Sequence, residues 1–234
     1  MSARANTRLR GVGLALLLGL AAAPAGASEV YRYKVQSLNF GEIGSYTDTI
    51  TRRGDSVQID SRLRVQVRML GIVLHREEAD RTEVWRDGRM VRFDGVTIAN
   101  SDRMVVHGEA QGDRFIITGP AGTVAAAADV KPSNPWMATE GSGAEMMSTK
   151  TGKLETVRET RADDVVIEVR GVPVRTRHYV FMTNKRQEVW KDAHGVPVRF
   201  LTAEPSGPID FVLVDQSTVP DPAGTAARGA QPGN

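Results

Sequence analysis

The chain offers few residues whose types and spacing could do chemistry, and each candidate has a competing structural explanation. It contains four histidines, His75, His107, His178 and His194, and no cysteine. Zinc sites draw on Cys and His at short fixed spacings, and no His-x-x-x-His pair is present. Asp192 and His194 could both reach one cation at a hairpin tip, and His75 precedes Glu77 at i, i+2 on one strand face. Hydrated turn and surface residues account for both patterns, so no metal and no cofactor is expected. Lys150-Thr151-Gly152 matches a triplet of penicillin-binding enzymes, but the Ser-x-x-Lys that supplies their nucleophile and its neighbouring amine is missing. Gly141-Ser142-Gly143 lacks the spacer residues of a nucleophile elbow and reads as a hinge. The acids Glu77, Glu78 and Asp80, beside Arg76 and Arg81, read as a solvated strand surface whose ion pairs contribute under about 1 kcal/mol each. The expectation is a protein that is not an enzyme. A hydrolase with a non-standard site stays as an alternative, and would need a nucleophile, a base and oxyanion donors converging in one cleft.

The large apolar side chains carry more information. Trp85 shares its strand face with Arg81 and Glu83, and exposing its ring there would cost roughly 1.5–3 kcal/mol relative to burial. Something must therefore cover it. In the preferred reading Trp85 and Trp190 pack as lids at the edges of the core under a long connection. In the functional reading Trp85, Phe93, Trp136, Met146, Met147, Trp190 and Phe200 line the mouth of a concave surface that takes an apolar ligand, because Met and Trp suit loosely specified greasy molecules.

The elements that position these residues are strands. From Val57 to Met69 the residues Val57, Ile59, Leu63, Val65, Val67 and Met69 alternate with Gln58, Asp60, Arg62, Arg64, Gln66 and Arg68. A period of two puts one set on a dry face and the other in water, whereas a helix would scatter the arginines around its circumference. Similar segments recur at 30–38, 44–52, 72–86, 89–98, 103–110, 114–118, 154–160, 165–169, 175–182, 186–191, 196–202 and 209–214, with turn residues such as Asp87-Gly88 and Gly112-Asp113 between them. The interval 129–152 breaks the pattern with Pro, Gly and Ser around Trp136, and it predicts a long connection with a single helical turn near Ala144–Ser148. No long amphipathic helix is available to link parallel strands. The predicted fold is therefore all-β and single-domain, a strongly curved antiparallel meander forming an open or half-closed barrel with the connection across its opening.

Composition sets the compartment. Arg4, Arg8 and Arg10 precede an apolar run from Gly11 to Ala23 and an Ala25-Gly26-Ala27 cleavage pattern, which reads as a signal peptide over 1–27. The run is shorter than the roughly 20 apolar residues a membrane span requires, and no cysteine follows it to carry a lipid anchor. Without the three leader arginines, 27 of the 30 basic residues remain against 28 acidic ones, a formal charge of −1. Nothing in that balance suggests nucleic acid. The expected layout is a periplasmic β domain over 28–215, with no transmembrane segment, and a disordered tail over 216–234 rich in Pro, Gly and Ala.

Two longer patterns remain. Arg81-Thr82-Glu83-Val84-Trp85-Arg86-Asp87 is matched by Arg186-Gln187-Glu188-Val189-Trp190-Lys191-Asp192, and each is followed by Val-Arg-Phe, at 91–93 and 198–200. These copies suggest equivalent hairpins in two halves of one curved sheet. In addition, Tyr31-x-Tyr33, Gly41-x-Ile43-Gly44, Leu70-Gly71-Ile72-Val73-Leu74, the first Trp hairpin and Asn134-Pro135-Trp136 together resemble an exported proteobacterial family of unknown function, DUF6134, related in pattern to DUF3108. The resemblance covers most of Val30 to Val214. It implies an envelope location and a β-rich fold, and it brings no established activity or catalytic residue. Other members of that family often place an aromatic after Leu74, where this chain has His75. The preferred function is a non-enzymatic carrier for a hydrophobic, lipid-like ligand; the alternative is a protein–protein or structural module of the envelope. An apolar cavity of about 300 Å³ or more favours the first, a filled interior the second.

Overall fold

A computed structural model describes residues 27–138 and 143–221. The expected signal peptide up to Gly26, the Gly141-Ser142 pair and the tail beyond Asp221 lie outside those residues. Strands β1 (Ala27–Ser37), β2 (Gly41–Arg53), β3 (Ser56–Met69), β4 (Ile72–Arg86), β5 (Arg89–Ala99), β6 (Asp102–Gln111), β7 (Arg114–Gly119) and β8 (Gly122–Ala127) form consecutive antiparallel neighbours. After an interval holding β9 (Lys131–Pro132), β10 (Glu145–Met147) and β11 (Leu154–Thr156), the meander resumes with β12 (Glu159–Val169), β13 (Val172–Met182), β14 (Arg186–Lys191), β15 (Pro197–Thr202) and β16 (Ile209–Pro220). The last strand pairs with the first, Ala27 facing Pro220 and Ser37 facing Ile209. That pairing joins both runs into one sheet of thirteen strands, from β12 at one edge to β8 at the other. The two edges do not meet, so the barrel is open.

The turn chemistry follows the strand twist. Asp87-Gly88, Leu70-Gly71 and Arg170-Gly171 are two-residue turns with positive φ at both positions, the geometry that lets a hairpin keep its right-handed twist. Gly44 serves a different need. A Cβ there would stand 2.0 Å from the Arg64 carbonyl oxygen, so only glycine lets β2 lie this close to β3.

The inner face is dry where the period of two predicts it, except at Met69, which is exposed because β3 ends there at the Leu70-Gly71 turn. Tyr33, Tyr46, Phe200 and Phe211 meet edge-on, tilted or stacked, with ring centroids 4.3–5.8 Å apart. The second dry region gathers Phe93, Phe115, Met90, Met146 and Met147, all buried. Here the connection supplies two of the five, Met146 and Met147.

Three details differ from the sequence reading. The segment around Ala144–Ser148 is strand rather than helix: Met146 and Met147 pair with Lys131 and Pro132 on one side and with Glu155 and Leu154 on the other. The helical turn lies instead at Pro135–Met137, where the Asn134 side chain accepts from the Met137 amide at 3.1 Å and Pro135 starts the turn. Residues 216–220 of the expected tail are ordered as the end of β16 against β1, and both Asp221 carboxylate oxygens accept from Arg53 at 2.7 Å. Finally, the two Trp hairpins sit at matching steps along the sheet but present opposite faces. Trp85 points inward beside Met90 and Glu83, whereas Trp190 lies opposite Arg199 and His178 on the outer face.

Substituting Gly44→Ala is expected to cost about 1–3 kcal/mol through forced separation of β2 and β3. Urea denaturation checks this, and an unchanged midpoint would show that the strands can part at no cost.

Candidate functional site

The connection between β8 and β12 does not merely cross the opening. It runs inside the curve as a strap and is held there by buried polar groups that project from the sheet. Asp48 occupies a dry-face position of β2 between Tyr46 and Ile50, and its side chain is fully buried. One carboxylate oxygen accepts from Ser61 at 2.6 Å, and the other accepts from the indole N–H of Trp136 at 2.7 Å. Glu83 of β4 is equally buried. It accepts from the Asn134 amide at 2.7 Å and from the Trp85 indole at 3.1 Å. From the opposite wall, Lys191 Nζ donates to the carbonyls of Trp136 and Ala138 at 2.6 and 2.8 Å. Tyr31 packs edge-on against the Trp136 ring with centroids 4.9 Å apart. The 3-10 turn is thus clamped from four strands, β1, β2, β4 and β14.

Burial sets the electrostatics of this clamp. Desolvation pushes the Glu83 carboxyl up to about 7, against the bonds from Asn134 and Trp85 that favour its charged form. Desolvation raises Asp48 as well, opposed by Ser61 and Trp136. The Lys191 ammonium is pushed down to about 8 by burial, while its two carbonyl partners favour the charged form. Arg81 supplies the positive charge felt by both acids, and its Nε is buried without a partner. A carboxyl with a pKa near neutrality is a standard candidate for proton transfer. Here, however, both Glu83 oxygens are occupied, one by the strap's Asn134 and the other by Trp85 of its own strand, and neither Asp48 nor Glu83 borders the clefts described next. Their chemistry serves the architecture.

The opposite end of the curve, at the turns 38–40, 70–71, 183–185 and 203–208, is not filled. One cleft of about 460 Å³ runs from Tyr46, Arg81 and Asn134 past Phe181, Phe200 and Phe211 to the strap turn at 148–153. A second of about 550 Å³ lies among Phe40, Ile43, Val65, Val67, Leu74 and Ile209. They share Leu63, Phe211, Thr202, Glu204, Lys150 and Lys185, so they adjoin. The rim is polar and self-paired: Lys150 donates to Glu77 at 2.7 Å, and Lys185 donates to Glu204 at 2.6 Å. A groove of about 710 Å³ on the outer face is lined by charges that satisfy each other, with Asp80 accepting from Arg62 and Arg64 and Asp60 accepting from Thr82 and Gln58.

The seven residues expected to line a ligand mouth are divided among several places. Phe200 borders the first cleft. Trp85, Phe93, Met146 and Met147 form the core under the strap, with Lys131 Nζ lying 5.2 Å from the Trp85 ring centre. Trp136 is the strap's anchor. Trp190 is sandwiched between His178, stacked at 4.2 Å, and the Arg199 guanidinium at 5.0 Å. Asp192 caps its turn by accepting from the amides of His194 and Val196 at 2.8 and 2.9 Å. Among the described residues no three His, Asp or Glu side chains gather in metal-ligand fashion. Lys150-Thr151-Gly152 forms the strap turn, whose Thr151 carbonyl accepts from Ala121 at 3.1 Å.

A thirteen-stranded antiparallel sheet curved around its own connection and open at one seam defines a β-barrel-like protein. The same architecture occurs in the crystal structure of a beta-barrel-like protein of DUF1849 from Brucella abortus, with a TM-score of 0.59 at 10% identity over 84% of this chain and 99% of that one. A DUF1089 family protein from Pseudomonas aeruginosa aligns with a TM-score of 0.37 at 12% identity, over 82% of this chain and 95% of that one. The sequence matches the model of the domain of unknown function DUF6134 over residues 33–214, and the chain belongs to that family. No curated protein matches it. The likeness to the Brucella protein is one of fold.

The clamp gives stability a definite pH dependence. Because the Glu83 pKa is raised on folding, from 4.5 to about 7, the folded protein keeps a proton there that the unfolded chain releases within that window. Stability is therefore expected to fall as pH rises from about 5 to about 8, by on the order of 3 kcal/mol from this group. Melting temperatures across that range check it. Glu83→Gln keeps the acceptor for Asn134 and should flatten the slope, and an unaltered slope would remove Glu83 as its source.

Proposed function

We propose that this protein is a non-enzymatic periplasmic binding module that holds a hydrophobic, lipid-like molecule in the two adjoining clefts. The observation that carries the reading is the division of the interior. The strap fills one end, while at the other end apolar residues of β2, β3, β15 and β16 border space of about 460 and 550 Å³. Clefts of this size suit small ligands, and the protein's own side chains leave these apolar walls uncovered. Tyr46, Leu63, Phe200 and Phe211 offer apolar walls for acyl or ring groups. The Arg81 guanidinium on the wall of the first cleft and the Lys150 and Lys185 ammonium groups at the rim offer contacts to a polar head. The leader-like sequence at 1–27 supports export.

Native mass spectrometry of protein purified gently from a bacterial periplasm, followed by organic extraction, tests this reading. A reproducible adduct of lipid mass is the expected result. Thr202 stands in both clefts, and Thr202→Trp should abolish the adduct while leaving the melting temperature within about 2 °C, as expected of a change outside the core. A bare polypeptide mass in the wild type would transfer the assignment to a protein-interaction module.

A further inference from the structure

Seven of the twelve large apolar side chains that the described residues expose fall in two neighbouring turns at the open end: Leu38 and Phe40 after β1, and Met69, Leu70, Ile72, Val73 and Leu74 at the β3–β4 hairpin. Leu70 is 95% exposed, Leu38 81% and Ile72 66%. Folding does not explain Leu70. It sits at the first position of a two-residue turn with φ of 51°, a left-handed conformation that bulky residues adopt rarely. Two other turns of this protein have the same backbone geometry and carry Asp87 and Arg170 at that position. The turn needs its glycine second; it does not need a leucine first.

The surroundings of the tip say what it meets. From Val65 to Arg76 the chain contains Arg68, His75 and Arg76 and no acid; the acids next to the two turns are Glu77, 3.7 Å from His75, Glu78, and Glu42 after Phe40. Arg68 donates to Gln66 at 2.9 Å, and Arg76 pairs with Glu78 just behind the tip. A protruding apolar tip flanked by basic side chains matches the interface of an anionic bilayer, where apolar groups enter the acyl boundary and arginines meet the head groups. Phe40 and Leu74, at the base of the two turns, are walls of the second cleft. The apolar surface is therefore continuous from the tip into the cleft.

We infer that the turn at 38–40 and the hairpin tip at 69–74 form a membrane-docking surface that seats the cleft mouth on anionic phospholipid. The inference deepens the carrier reading by naming where the ligand is exchanged, and it rests on that reading for its purpose but not for its test. The test is flotation of periplasm-purified protein with vesicles of phosphatidylglycerol and phosphatidylethanolamine, alongside uptake of a nitrobenzoxadiazole-labelled phospholipid presented without vesicles. The wild type should float, more weakly at high salt, and Leu70→Asp with Ile72→Asp should lower vesicle partitioning at least ten-fold while uptake of the labelled lipid is retained. Since the chain has no native cysteine, a fluorophore on Leu70→Cys should shift to shorter wavelength when vesicles are added. Absence of flotation in the wild type, equal flotation of the tip variant, or an unshifted fluorophore each overturns docking. So does a dimer, detected without vesicles, that the tip substitutions dissociate, because the tip would then bind a second copy. Loss of lipid uptake in a wild type that still floats would instead defeat the carrier reading and leave docking intact.

Discussion

The buried clamp between strap and sheet is the interaction on which the rest of this structure depends. An open antiparallel sheet of thirteen strands has an inner face too wide to cover itself, and neither edge strand is closed against the other. Covering that face with irregular chain is costly unless the chain's polar groups find partners. The strap meets this condition with few residues. Its carbonyls at Trp136 and Ala138 are taken by Lys191, its Asn134 amide by Glu83 and its Trp136 indole by Asp48. Removing one member leaves a charge or a donor buried without its partner, which costs more than the bond itself contributes.

Much of the fold was legible because it rests on alternation. The period of two from Val57 to Val67 specifies one dry face, and the structure keeps that face inward from β2 to β5 through the register of Ile50 with Ile59, of Ile59 with Glu83 and of Glu83 with Phe93, while Met69 falls at the exposed hairpin tip. What alternation cannot specify is which long-range partners meet inside. Asp48 between Tyr46 and Ile50, and Glu83 between Arg81 and Trp85, stand at dry-face positions where acids are rare. That was the available signal for the clamp, but without the strap in place it reads as surface charge. The two Trp hairpins show the same limit. Their sequences are alike, yet the two copies enter the sheet in opposite phase: Val57 faces Trp85 on the inner side, whereas His178 and Arg199 face Trp190 on the outer, and one residue of offset in phase moves every side chain to the other face.

The cleft was harder to see because it is made by absence. Leu63, Val65 and Phe211 look like ordinary core residues in sequence, and only the strap's course determines that they border space instead of neighbours. The strap descends on the Trp136 side, packs Met146 and Met147 against the sheet, and turns back at 148–152 before reaching β2 and β16 at their open ends. Trp85, Trp136, Met146 and Met147, expected from sequence to touch a ligand, lie on the filled side, where dense packing stabilises large side chains best.

This asymmetry also fixes where the molecule can yield. At the filled end the contacts are buried, so water does not compete for their partners. At the mouth, the strap turn is held to β4 by Lys150 and Glu77, and the β13–β14 turn to the β15–β16 turn by Lys185 and Glu204. These pairs are partly exposed, so water competes for both partners and each contributes under about 1 kcal/mol. Local opening follows the weakest set of contacts. The rim can therefore part while the clamp and the sheet stay in place, and a molecule entering between Lys150 and Lys185 would displace contacts of little value and gain apolar walls at Leu63 and Phe211. The same strap thus makes one end of the barrel a core and leaves the other available.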